Sequence, residues 1–317
     1  MLETFAHWLT ENILKLIPES RLTESLNFFI ADTIKIYLLI ILVMTIIAFI
    51  RTFLPPHKIK EVLSRQRFGI GNLVAALIGA VTPFCSCSSI PIFLGFVEAE
   101  VPLGITFSFL ITSPLVNEVA FVLMGGTFGW TVAVLYAVSG IALGTVAGII
   151  MGRLNLEKNI ILNKNQAREN VTVKPELKSL KEKIFHALRQ AKNTFKNLWW
   201  IILISVAVGA AIHGYVPDKF FTDYLNVKSL WAVPIATLIG VPVYAACSTV
   251  VPIAFAAVTK GVPLGTALAF MMAIAGLSLP AAIILKKAMT LRLLLIFFGI
   301  VAAGIIIIGY LFNFIPI

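Results

Sequence analysis

Pro83-Phe84-Cys85-Ser86-Cys87-Ser88-Ser89-Ile90-Pro91 and Pro242-Val243-Tyr244-Ala245-Ala246-Cys247-Ser248-Thr249-Val250-Val251-Pro252 are two versions of one pattern. From the second proline of each, the register is fixed. PIFLGFVEAEVPLG (Pro91 to Gly104) and PIAFAAVTKGVPLG (Pro252 to Gly265) share seven of fourteen residues at a constant offset of 161. The chain therefore contains an internal repeat. Both copies lie in strongly apolar sequence. Helix breakers, small hydroxyls and thiols at matched places in two membrane halves are the ingredients of a central solute site.

Composition sets the environment. Of 317 residues, 59% are hydrophobic and the mean hydropathy is +0.97, too apolar for soluble domains, whose apolar share is nearer half. Crossing the hydrocarbon takes about 20 apolar residues. Thr127 to Gly152 and Leu293 to Ile317 are that long and carry no charge, and Gly69 to Gly152 holds only Glu98, Glu100 and Glu118 as acids or bases. Backbone amides find no water in the bilayer core, and the alternating pattern of a closed barrel is missing, so the predicted fold is all-α and polytopic. The net charge of +10 suggests an acidic partner at first sight, but eleven Lys/Arg against four Glu fall between Arg153 and Lys196. Such a cluster marks a cytoplasmic loop, and without interleaved aromatics it gives no reason to expect nucleic acid.

The chain divides into a segment 1–27 with an amphipathic, interfacial pattern, a first repeat over 28–152, a basic linker over 153–193 and a second repeat over 194–317. Basic connectors after the span at 33–54 and around Lys286, Lys287 and Arg292 are expected inside, which gives the repeats opposite orientations. Between its framing spans each half carries a proline-interrupted stretch. The preferred arrangement is a crossing helix over Gly69 to Val97, broken near Pro83, followed by a re-entrant hairpin (Pro102 to Ser113, then Leu115 to Met124). Hairpin first and broken crossing second is the alternative. Helix breaks are expected at Pro83, Pro91, Pro114, Pro242 and Pro252, where a donor is lost and the ring crowds the preceding turn. Gly140, Gly144, Gly148 and Gly152 form a small-residue face for close helix packing.

The residues that could meet a solute cluster at these breaks. Cys85 and Cys87 are two apart and share a centre only on unwound backbone. With Cys247 they are possible ligands for a soft ion or a thiophilic solute, with no metal site assigned. Cys87 and Cys247 are read as the matched pair of the two repeats. Ser86, Ser88, Ser89, Ser248, Thr249 and Asn117 can bind solute, or can satisfy the broken helices' own backbone. Glu118, amid Leu115, Val116, Val119, Ala120 and Phe121, must be protonated, watered or paired, and is the candidate proton-coupling group. No phosphate-binding loop, zinc-type CxxC pair or hydrolase motif occurs in the sequence, and neither a cofactor nor catalysis is expected.

Thr82-Pro83-Phe84-Cys85-Ser86-Cys87-Ser88-Ser89-Ile90-Pro91 and Thr112-Ser113-Pro114-Leu115-Val116-Asn117-Glu118 resemble the ArsP/YraQ-type predicted permease family over nearly the whole chain. The resemblance implies a multi-pass inner-membrane permease and, for the arsenic-linked members, export of trivalent organoarsenicals. A secondary transporter embedded in lipid, exporting a small thiophilic solute and coupled to protons, is thus the expectation, with a homo-oligomer compatible with it. The alternatives are a membrane thiol redox carrier and a permease for a sulfur species or soft metal.

Overall fold

The computed structural model describes residues 69–82, 86–98, 101–154, 156–161, 231–243, 247–286 and 288–314, with isolated positions between 23 and 45 and between 185 and 207. Apart from one isolated bridge, the regular structure among the described residues is helical. Five helices form the first half: α1 (Ile70–Val81), α2 (Ser86–Glu98), α3 (Leu103–Leu115), α4 (Glu118–Thr127) and α5 (Trp130–Arg153). Five more form the second: α6 (Ala232–Gly240), α7 (Cys247–Thr259), α8 (Leu264–Gly276), α9 (Leu279–Leu285) and α10 (Leu291–Phe314).

The offset read from fourteen residues holds throughout. The pairs α2/α7, α3/α8 and α5/α10 begin and end 161 residues apart, and α4/α9 begin 161 apart. Contacts follow the same rule. Val101 N–H donates to Phe96 O at 2.9 Å, and Val262 N–H to Ala257 O at 3.1 Å. A methyl group on Gly79 would lie 3.0 Å from Phe109 O, and one on Gly240 would lie 3.0 Å from Phe270 O. Two sequences of modest identity thus reach one backbone path, because the small residues that let helices touch are kept in register.

At the centre of each half is a helix with almost no outside. All thirteen residues of α3 are buried, as are Gly265 to Ile274 of α8. The α5 glycine face is packed against α3: methyl groups on Gly144 and Gly148 would strike the Thr112 and Ser108 hydroxyls, and Gly104 approaches so closely that a methyl there would sit 2.7 Å from Gly148 O. By contrast Val134, Val138 and Val146 of α5, and Leu295, Ile307 and Leu311 of α10, are exposed. Rows of bare aliphatic side chains on 24-residue helices are surfaces for lipid.

Some sequence expectations change. Helix α1 ends at Val81 and α2 starts at Ser86, as Pro83 requires, and Thr82 is extended (φ −90°, ψ 127°), the conformation a following proline enforces. Pro91, Pro114 and Pro252 do not break their helices. Each sits inside one, and past Pro114 the Val116 N–H still donates to Thr112 O at 2.9 Å. A proline deletes one donor, and helical bonding on either side carries the helix through that loss. Helix α3 ends at Leu115, and extended backbone at Val116 (φ −109°, ψ 92°) and Asn117 (φ −114°, ψ 139°) separates it from α4.

Where a hairpin is expected between Pro102 and Met124, helices α3 and α4 meet at a 43° bend, a geometry that a broken span and a re-entrant loop share. In the second half Leu264–Leu285 qualifies as one 22-residue span. The interfacial segment 1–27, the span at 33–54, the opening of the second repeat over 194–230 and most of the linker 153–193 lie outside the described residues apart from isolated positions.

Candidate functional site: the paired helix breaks

Two residues related by the offset touch each other only where the relating axis passes between them. Leu115 and Gly276 are such a pair, with a methyl on Gly276 falling 3.1 Å from Leu115 Cδ2. Leu143 and Gly304 are another, the leucine occupying the space of the missing side chain. Two further contacts between the halves are reciprocal: α4 packs on α7, and α9 on α2. A pseudo-two-fold axis therefore runs through α3/α8 and α5/α10, with leucine as knob on one side and glycine as hole on the other.

Leu115 and Gly276 are the last residues of α3 and α8. The axis thus passes beside the α3–α4 break (Val116, Asn117) and the α8–α9 break (Leu277, Ser278). The other pair of breaks is tied to the same place. Leu279 N–H donates to Val241 O at 3.2 Å, joining the start of α9 to the break at Pro242. Ser89 and Ser113 hydroxyls bond at 2.8 Å in full burial, fastening the first turns of α2 beside the end of α3. Four interruptions from two halves converge on one region.

The sequence-predicted residues divide as follows. Pro83, Cys85 and the peptide 244–246 lie outside the described residues, as do the side chains of Ser86, Cys87, Ser88, Cys247, Ser248 and Thr249, whose backbones form the first turns of α2 and α7. The register corrects one pairing. Helix α2 begins at Ser86 and α7 at Cys247, so Cys247 corresponds to Ser86, and Cys87 to Ser248. Ser89 spends its hydroxyl on Ser113. Asn117 caps α4, its Oδ1 accepting from Val119 N–H at 2.8 Å. Glu118 opens α4 and is partly buried.

The two halves differ in chemistry. Asn72 Nδ2 donates to Ser108 Oγ at 3.0 Å, and with Ser89, Thr112 and Ser113 these residues form a buried polar seam along α3. Their counterparts are Val233, Ala269, Val250, Ala273 and Ile274, all buried and apolar. Polar side chains hold the length of α3 to its neighbours, whereas the polar tie on α8 is at its start, where Asn313 Oδ1 of α10 accepts from Gly265 N–H at 2.7 Å and Asn313 Nδ2 donates to Thr266 Oγ1 at 3.4 Å. Two buried hydroxyls near the breaks have no partner: Thr112 Oγ1 and Ser278 Oγ. Ser278 is the counterpart of Asn117 and went unnoticed in the sequence, although the offset alone points to it.

Residues 21–314 match the family described as "Predicted permease", ArsP_1. The chain belongs to this family. Among curated proteins, the permease is 24% identical over 297 residues to a UPF0718 protein of Methanocaldococcus jannaschii, covering 76% of this chain and 81% of the relative. It is 25% identical over 270 residues to the UPF0718 protein YraQ of Escherichia coli, covering 82% and 72%. It is 26% identical over 209 residues, covering 65% and 68%, to a Streptococcus mutans protein whose name makes it a subunit of a two-component membrane permease complex. No solved structure matches the chain.

Proposed function

We propose that this membrane permease is a secondary transporter whose two halves are inverted in the bilayer and which exports a small thiophilic solute, such as a trivalent organoarsenical, from the region where the four breaks meet. The observation that carries the reading is the convergence of matched breaks at a pseudo-two-fold axis. Inversion is supported by the ends of the two long helices. Just past the α5 C-terminus, Ile161 N–H donates to Ala288 O and Asn159 O accepts from Thr290 N–H, both at 2.8 Å, beside the α10 N-terminus. Equivalent helices therefore run antiparallel, with Arg153 and Lys286 at one end, the cytoplasmic end by charge.

On this reading α3–α4 and α8–α9 are interrupted crossings. The pairs α1–α2 and α6–α7, with arms of 9 to 13 residues and thus too short to cross alone, are re-entrant. Each half then makes three crossings, and rocking one half against the other exposes the breaks to either side in turn. Thiols of Cys85, Cys87 and Cys247 supply the soft donors, and Glu118 the proton. The chain carries no nucleotide-binding motif, so the driving force is an ion gradient or a partner subunit.

The test is uptake of methylarsenite into everted membrane vesicles. Saturable, gradient-dependent uptake with counterflow is expected. Linear, non-saturating flux would make the protein a channel, and no flux would remove the arsenical.

A further inference from the structure

Ser278 stands at the N-cap position of α9, where a serine side chain ordinarily accepts from a backbone N–H two or three residues on, yet it makes no such bond. Its Oγ is buried, at 2% exposure for the residue, and bonds to nothing. Its counterpart Asn117 does cap its helix. Alanine at this position would leave no polar atom stranded. A desolvated, unpaired hydroxyl destabilises the empty protein, and such a group in a native interior calls for an explanation.

Its location supplies one. Ser278 is two residues from Gly276 at the axis and one from Leu279, whose N–H reaches back to the Pro242 break. The free hydroxyl therefore sits where the interruptions meet. The charge there is restrictive as well. Residues 82, 86–89, 114–118, 241–243, 247–249 and 276–280 contain no Lys, Arg or His, and only one acid, Glu118. An anionic solute would meet a carboxylate with no cationic side chain from these segments to offset it.

We infer that Ser278 is a solute-contacting residue of the central site, and that the solute carries hydroxyl or oxo groups and no net negative charge. This rests on the transport reading and deepens it. The hydroxyl, not the N–H groups of the short α9, makes the contact. Seated solute completes the missing hydrogen bond, and in its absence Ser278 is a standing cost retained for binding.

The experiment uses the full chain in two arms. In the first, Ser278→Cys and Ala267→Cys, the latter a buried site on α8, are treated in right-side-out and everted vesicles with a membrane-impermeant cationic methanethiosulfonate. Mass spectrometry assigns each labelled thiol. The introduced thiol at 278 should be labelled from at least one side, and that at 267 from neither. In the second arm, Ser278→Ala should unfold about 2–4 °C above wild type when empty. Its KM for methylarsenite uptake should rise about tenfold, corresponding to ~1.4 kcal/mol, while Ser278→Thr stays near wild type and excess sulfate does not compete. A folded Ser278→Cys unlabelled from both sides, Ser278→Ala with unchanged KM, or competition by sulfate would each overturn the inference. If wild type fails to move methylarsenite, the arsenical reading falls alone, and the labelling and the unfolding temperature decide the place of Ser278.

Discussion

Exchanging the two residues that meet at the axis tests the pseudo-two-fold relation directly. Leu115 is buried to 1% exposure and lies over Gly276, with Cδ2 3.1 Å and Cγ 3.4 Å from where a methyl on that glycine would be. Leu115→Gly should cost at least about 2–5 kcal/mol, the range typical of truncating a buried leucine to alanine, with the higher end where neighbours do not collapse into the space. The backbone adds little, because Leu115 is the last residue of α3, where glycine is well tolerated. Gly276→Leu drives a second isobutyl group into the first and should cost about 1–3 kcal/mol or more. The double exchange puts the knob on the other half and the hole opposite it. It should recover to within about 1–2 kcal/mol of wild type, a coupling of at least about 1 kcal/mol between the sites. Unfolding in detergent, followed by tryptophan fluorescence and by the fraction surviving size exclusion after heating, measures all four proteins. A double variant no more stable than the worse single variant would show that Leu115 and Gly276 do not share one space, and the axis drawn through them would be wrong.

Two further outcomes follow. A protease site placed near Asn163 in the basic linker should be cut only from the cytoplasmic face, with tags on both termini reporting outside; cleavage in intact spheroplasts would defeat the inverted arrangement. Glu118→Gln should keep the fold and solute binding while abolishing the dependence of net uptake on a pH gradient, and retained dependence would assign Glu118 to the helix start alone.

The repeat was legible because its register is written in residues that cannot be exchanged cheaply. Pro102 and Pro263 precede α3 and α8, and Gly104 and Gly265 permit contact with the α5 and α10 backbones. Positions between them drift in identity without moving a helix. Prolines were less informative than their number suggests. Pro83 ended a helix, whereas Pro91, Pro114 and Pro252 were absorbed, since losing one donor does not oblige a helix to stop. The helices α3 and α8 end at Leu115 and Gly276, and the next helices start from Asn117 and Ser278, polar residues of small weight in a hydrophobic pattern. Ser278 was hidden by its chemistry: Asn117 and Glu118 drew notice as a pair, and their counterparts Ser278 and Leu279 do not look like one. That its hydroxyl is unpaired is a fact of packing that no one-dimensional pattern contains.

The leucine-in-glycine pairing at Leu115/Gly276 and Leu143/Gly304 also bears on how such a protein can change over time. A first half facing a copy of itself would set leucine against leucine at both places, and a second half facing its copy would set glycine against glycine, one arrangement overfilled and the other hollow. Whatever symmetric dimer the two halves descend from, the present ones have specialised past return: each has become the other's only fitting mate. The covalent linker then keeps together two surfaces that already choose one another, and a change at either leucine must be answered 161 residues away.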